Sequence, residues 1–282
     1  MNSFILEIGG IPITIKSEDS SFVDCIAEKY KEFNHIARSL NGEADAINAA
    51  ESVAPFQLYM NIRHNEEELS SQLHKEKLWI EVAYQDDRFV VRRPDLEGDI
   101  DLVGRVAHVT NRAALYSFDS FLRIMYSLIL PQMEGFLVHA ASVVKDEMGY
   151  VFMGRSGAGK STIALYSSYY TVLSDEISLI KKIGDQYILY STPFWGEQEI
   201  KGGNFYVPLA GICQLRQNSQ LSLRRLGKRE ALRYLMENIL YFAKEPFLTN
   251  QIFHNCSDFI EKIDIFVLSF QKNEYFWKII DF

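Results

Sequence analysis

Hydrophobic and polar positions along the chain fall into two stretches with different rhythms. Near the start, residues 4–8 and 11–15 are short apolar runs on either side of Gly9-Gly10, a spacing that predicts a β-hairpin. Residues 20–33 place Phe22, Ile26 and Tyr30 four apart and so predict a helix. Residues 41–54 are polar and Ala-rich, a loop or a short helix. Strand-like runs follow at residues 56–62, 78–84, 88–92 and 102–110, with Gln85-Asp86-Asp87 as a turn. In residues 117–130, Phe118, Phe121, Leu122, Met125, Leu128 and Ile129 recur at helical spacing until Pro131 ends the run. This helix is expected to bridge the two stretches.

The second stretch alternates strands and helices. Strands are predicted over residues 136–144 and 150–153, a helix over 160–169, and strands over 172–174, 177–180 and 187–190. Residues 191–203, rich in Gly with one Pro and an exposed-looking Trp195, read as a loop of the kind that carries function, with a plain surface hairpin as the alternative. A strand over 207–215, a helix over 229–243, a short helix over 258–262 and a last strand over 265–270 complete the pattern. The expected fold is α/β: a smaller α+β accessory domain over residues 1–117, a candidate for substrate selection, and a domain over 118–282 whose hairpins set antiparallel strands beside a parallel pair in one mixed sheet.

Composition narrows the class. Hydrophobic residues make up 48% and charged residues 23% of the 282 positions, which excludes disordered and fibrous chains. A net charge of −8 works against binding nucleic acid. The basic run Arg224, Arg225, Lys228 and Arg229 reads as a solvated loop entering a helix, with a phosphate or substrate contact as the alternative. Cys25, Cys213 and Cys256 are far apart and odd in number, so neither a disulfide framework nor a zinc site is expected. The start lacks the pattern of a signal peptide, and the most apolar stretch, residues 121–144, is interrupted by Arg123, Pro131, Gln132, Glu134 and His139. A cytoplasmic protein without a membrane span is expected.

The chemistry concentrates in residues 154–161. Gly154, Arg155, Ser156, Gly157, Ala158, Gly159, Lys160 and Ser161 satisfy G-x-x-x-x-G-K-[ST], which arises by chance in about one in a hundred chains of this length. A hydrophobic strand enters the loop and a helix opens from it, as a phosphate-binding loop requires. Glycines let the backbone curl so that amide N–H groups converge on phosphate oxygens, and the helix start adds partial positive charge. Lys160 should reach the β- and γ-phosphates of a nucleoside triphosphate, and Ser161 should coordinate its magnesium. Carboxylates are needed as well. Asp175 and Glu176 end an apolar strand only 15 positions beyond Lys160, at the end of a strand where ligands of open α/β sheets bind. His139 lies on the strand before the loop, either a core histidine or a phosphate contact.

In this order (His139, the loop, Asp175-Glu176 at short spacing, then Glu199-Ile200-Lys201-Gly202), residues 119–282 resemble the catalytic domain of bacterial HPr kinase/phosphorylase, in a divergent form. Glu176 stands where that family has a second Asp, and Lys201 where it has Arg. The resemblance implies an HPr kinase/phosphoenolpyruvate carboxykinase-like P-loop domain and an ATP- and Mg2+-dependent serine kinase. Its nucleotide site would comprise the loop, Thr162 and Lys201. Asp175 would accept the proton of the acceptor hydroxyl, His139 would assist near the γ-phosphate, Ser161 and Glu199 would bind magnesium, and Glu176 would support the metal or the base. The phosphoacceptor would be a protein or a peptide, such as a ribosomally made peptide. HPr kinases are hexamers, which raises homo-oligomerisation for this chain. A small-molecule kinase on a carboxykinase-like core and a non-catalytic nucleotide sensor are the alternatives.

Overall fold

A computed structural model describes residues 1–40, 53–64, 79–196 and 203–280 of the chain. Its fold is α/β, with two mixed sheets and, among the described residues, five α-helices. The first sheet begins with the expected hairpin, β1 (Asn2–Ile8) and β2 (Ile11–Ser17). α1 (Ser20–Lys29) follows, its first turn capped by Asp19, whose Oδ1 accepts from the Phe22 amide at 2.9 Å. β3 (Arg38–Ser39), β4 (Phe56–Arg63), β5 (Glu81–Gln85), β6 (Arg88–Arg93), β7 (Leu96–Asp101) and β8 (Val106–Arg112) come next. The sheet order is β1-β2-β4-β8-β7-β6-β5, with β2, β4 and β8 parallel to their neighbours among themselves and the other pairs antiparallel. The turn between β5 and β6 has Asp86 and Asp87 at φ 49° and 61°, the left-handed pair that matches the twist of a two-residue hairpin. Residues 102–110 do not form one strand. Only Val106 onward belongs to β8, because Asp101 folds back to bond the Gly104 amide at 2.7 Å.

α2 (Leu115–Ile129) is the expected bridge. Phe118, Phe121, Leu122, Met125 and Leu128 are all fully buried, and the helix packs on β7 and β8 and on β9 (Gly135–Lys145) of the second sheet. After β9 come β10 (Met148–Met153), α3 (Lys160–Tyr166), β11 (Thr171–Ser174), β12 (Ile177–Ile183), β13 (Gln186–Tyr190), β14 (Phe205–Gln217), β15 (Ser222–Arg225), α4 (Lys228–Asn238), α5 (Pro246–Lys262) and β16 (Ile265–Phe270). β14 pairs in parallel with both β10 and β16; β9, β13 and β15 run antiparallel to these three, and β12, between β9 and β13, runs in their direction. Pairings β10–β9–β12–β13–β14–β10 close on themselves into a ring, because β9 and β14 are long enough to pair with different partners along each half.

Three expected helices have different ends. α3 stops at Tyr166, where the Ser167 amide caps Ala164 and the Ser167 hydroxyl takes the Trp277 indole N–H at 2.9 Å. α4 ends at Asn238 rather than 243, since Ile239 turns extended and bridges to Val138. The short helix expected at 258–262 is the last part of the 17-residue α5, which starts on Pro246. The basic run is also partly a strand: Arg224 and Arg225 lie on edge strand β15, paired to Glu230 and Asp264. Trp195 is half-buried against the core rather than exposed.

The amino-terminal hairpin is tied to the second sheet. Glu7, 5% exposed, accepts from the amides of Gly10 and Ala37, each at 2.6 Å, and from the Asn204 side chain at 3.0 Å. The buried Lys181 ammonium donates to the Gly9 carbonyl at 3.0 Å, and β3 pairs in parallel with β14. One cluster of buried apolar side chains therefore runs from Phe4 to Val267. The three cysteines are free, Cys213 and Cys256 in the interior and Cys25 exposed. Among the described residues, no helix is long and apolar enough to cross a membrane.

Candidate functional site

Strand directions bring the chemistry-bearing residues to one end of the second sheet. β10 and β11 flank β9 and both run antiparallel to it, so their carboxyl ends point the same way. Met153, ending β10, pairs with Ala140, and Ser174, ending β11, pairs with Ser142. His139 precedes Ala140 on β9 and pairs with Ile177 at the start of β12. The glycine loop, the Asp175-Glu176 turn and His139 thus gather at the same place.

The loop has the conformation its glycines allow. Gly157 and Gly159 sit at φ 78° and 109°, and a Cβ on Gly159 would lie 2.7 Å from the Phe270 ring. The Ala158 amide donates to the Arg155 carbonyl at 3.0 Å, the Gln217 side chain to the Gly157 carbonyl at 2.9 Å, and the Ile163 amide to Gly159 at 2.9 Å. Lys160 folds back onto its own loop, its Nζ 2.8 Å from the Gly154 carbonyl. Arg155 and Ser156 are exposed, Arg155 facing Glu237 at 3.6 Å, and Ser161 and Thr162 are half-buried on the first turn of α3.

The acidic turn is stapled by Ser174, whose hydroxyl donates to the Ile177 carbonyl at 2.7 Å and accepts the Ile177 amide at 3.1 Å. The Glu176 carbonyl takes the Ala140 amide at 3.0 Å, which fixes the turn against β9. Asp175 is 2% exposed and its Oδ1 accepts the Gly196 amide at 2.8 Å. Glu176 is partly open, with Oε2 3.1 Å from Nη2 of Arg123. Burial, and then the nearby Lys160 ammonium, hold His139 below its ordinary pKa, so it is neutral at pH 7; Glu176 pulls the other way and Arg123 adds to the depression. Burial also holds the Lys160 amine below its usual range, with Glu176 opposing.

The family model described as SynChlorMet cassette protein ScmC matches residues 107–282. The chain belongs to that family. No curated protein matches the chain. The matched stretch of the ScmC family starts in β8 and takes in α2, His139, the glycine loop and the acidic turn, so every site residue named above lies within it.

Of the sequence-predicted site residues, Glu199 and Lys201 lie outside the described residues. Of the rest, His139, Lys160 and Glu176 come together, whereas Arg155 turns outward to Glu237. Among the described residues, no three His, Cys, Asp or Glu side chains cluster as metal ligands. The donors present, the Ser161 hydroxyl and the Glu176 carboxylate, are the hard oxygens that magnesium takes when substrate phosphates complete its shell. Sequence reading passed over Arg123, treating it as a break in an apolar run. The signal was there: a single cation amid the apolar positions of a core helix has to find a partner.

Proposed function

We propose that this protein is a cytoplasmic ATP- and magnesium-dependent serine kinase of the HPr kinase-like class, with a P-loop catalytic domain over residues 118–282 and a protein or peptide as phosphoacceptor. One observation carries the reading: a G-x-x-x-x-G-K-S loop, a buried aspartate on a strand-end turn and a half-buried histidine share one end of the sheet. In the proposed reaction the acceptor oxygen forms the new bond to the γ-phosphorus, the bond to the bridging oxygen of ADP breaks, and the hydroxyl proton passes to Asp175. Asp175 suits this role because its Oδ1 is oriented by the Gly196 amide. Lys160 leaves the Gly154 carbonyl for the β- and γ-phosphate oxygens, and the loop amides hold the remaining charge. Neutral His139 donates or accepts a hydrogen bond near the γ-phosphate without adding charge. Magnesium, arriving with ATP, would neutralise β- and γ-oxygens, with Ser161 and Glu176 as its protein donors.

The acceptor class is tested by splitting the substrates offered. With γ-labelled ATP, one set of reactions contains serine peptides and small proteins encoded near the gene, and the other a panel of small hydroxylated metabolites. The kinase reading predicts label on a serine of the first set. Label only on a metabolite would replace it with a small-molecule kinase, and ATP binding with no transfer anywhere would leave a nucleotide sensor.

A further inference from the structure

Arg123 enters the site from outside the loop–strand module, on α2. Its guanidinium is held on two sides. Nη2 donates to Glu176 at 3.1 Å, and Cζ lies 5.5 Å from the centre of the fully buried Phe194 ring, which Tyr126 supports edge-on at 6.3 Å. A third group is unsatisfied: Nε is buried with no hydrogen-bond partner. A guanidinium donor left open in the interior costs stability unless something bonds it in the working state. Arg123 is also close enough to His139 to depress its pKa, as Lys160 does. Two fixed cations, Lys160 and Arg123, therefore bear on one partly exposed carboxylate, Glu176. That arrangement has capacity for a further anion.

We propose that Arg123 is a γ-phosphate contact: when the triphosphate is bound, its guanidinium bridges Glu176 and a γ-phosphate oxygen, so that α2 reports to the site whether the terminal phosphate is present. Arginine fits this task because its planar fork can serve a carboxylate and a phosphate at once, and the Phe194 ring beside its Cζ gives the cation a fixed apolar support. ADP, which lacks the group, gains nothing from Arg123. The inference rests on the nucleotide-binding part of the proposed function.

Titration calorimetry with magnesium tests it, using the non-hydrolysable imido analogue of ATP and, separately, ADP, on wild type, Arg123→Met and Arg123→Lys. Wild type should prefer the triphosphate. Arg123→Met should lose about tenfold or more in affinity for the triphosphate analogue while ADP affinity stays within about twofold, the scale of one charge-assisted bond. Arg123→Lys, which keeps the charge without the fork, should recover part of the loss. Unchanged ADP affinity doubles as the check that the variant is folded. Equal losses for both nucleotides would make Arg123 a structural prop of Glu176 and overturn the proposal, as would a variant that keeps the full preference. A wild type that binds neither nucleotide would overturn the proposed function itself.

Discussion

Alanine at Gly157 and at Gly159 should have unequal effects, and the difference is set by geometry alone. Both residues have φ in the left-handed region, 78° and 109°, where a side chain costs about 1–2 kcal/mol. Around Gly157 there is nothing within 4 Å of an added Cβ, so that strain is the whole effect. At Gly159 the Cβ would sit 2.7 Å from the tip of the Phe270 ring. Phe270 is 1% exposed and packed edge-to-face on Phe276 at 6.0 Å, which closes off the obvious escape. Overpacking of this kind adds about 1–3 kcal/mol. Gly159→Ala should therefore fall below Gly157→Ala by about 1–3 kcal/mol, or roughly 2–12 °C in unfolding midpoint for a chain of this size. Circular dichroism melts, with urea titration as a second probe, measure the gap. Equal shifts for the two variants, or a Gly159→Ala protein as stable as wild type, would refute the loop geometry described above.

Other outcomes follow from the same packing and electrostatics. Glu7→Ala removes the acceptor for two backbone amides and Asn204 and leaves buried Lys181 without its nearby carboxylate, so it should cost about 3–5 kcal/mol by urea titration. His139 has a folded pKa below its unfolded value of about 6.5, so it contributes stability that is present above that pH and is lost as pH falls toward the folded value. His139→Gln should accordingly flatten the decline in urea midpoint between about pH 7 and about pH 5. Phe121→Ala, in the fully buried stripe of α2 between the two sheets, should cost about 3–5 kcal/mol in the same assay.

Much of this fold was legible because the apolar periodicity was strong where burial is one-sided. The β1–β2 hairpin alternates buried and half-buried positions along β2, and α2 carries an apolar stripe with Pro131 just beyond it. The errors have physical causes. β7 was hidden because its outward face carries Glu97 and Asp99, and Gly98 leaves the inward face blank at a close approach to β8 and Phe121. α5 was mostly missed because its buried positions, such as Leu248, Ile252, Cys256 and Phe259, are separated by polar residues typical of a surface helix. β15 read as a solvated loop since an edge strand with exposed Arg side chains has almost no apolar signature. At the site, the loop and acidic turn were visible as local motifs. Arg123 was not, because its partners Glu176 and Phe194 are more than fifty positions away in the chain.

Phosphoryl transfer is the claim on which the account stands, and one comparison reaches it directly. Purified wild type and Asp175→Asn are each given γ-labelled ATP, magnesium and the peptides encoded beside the gene, and the labelled residue is identified. The account predicts label on a peptide serine with wild type, and with Asp175→Asn the loss of transfer while ATP still binds. Equal transfer by both proteins would remove Asp175 as the base, and no transfer by wild type despite bound ATP would contradict the kinase reading.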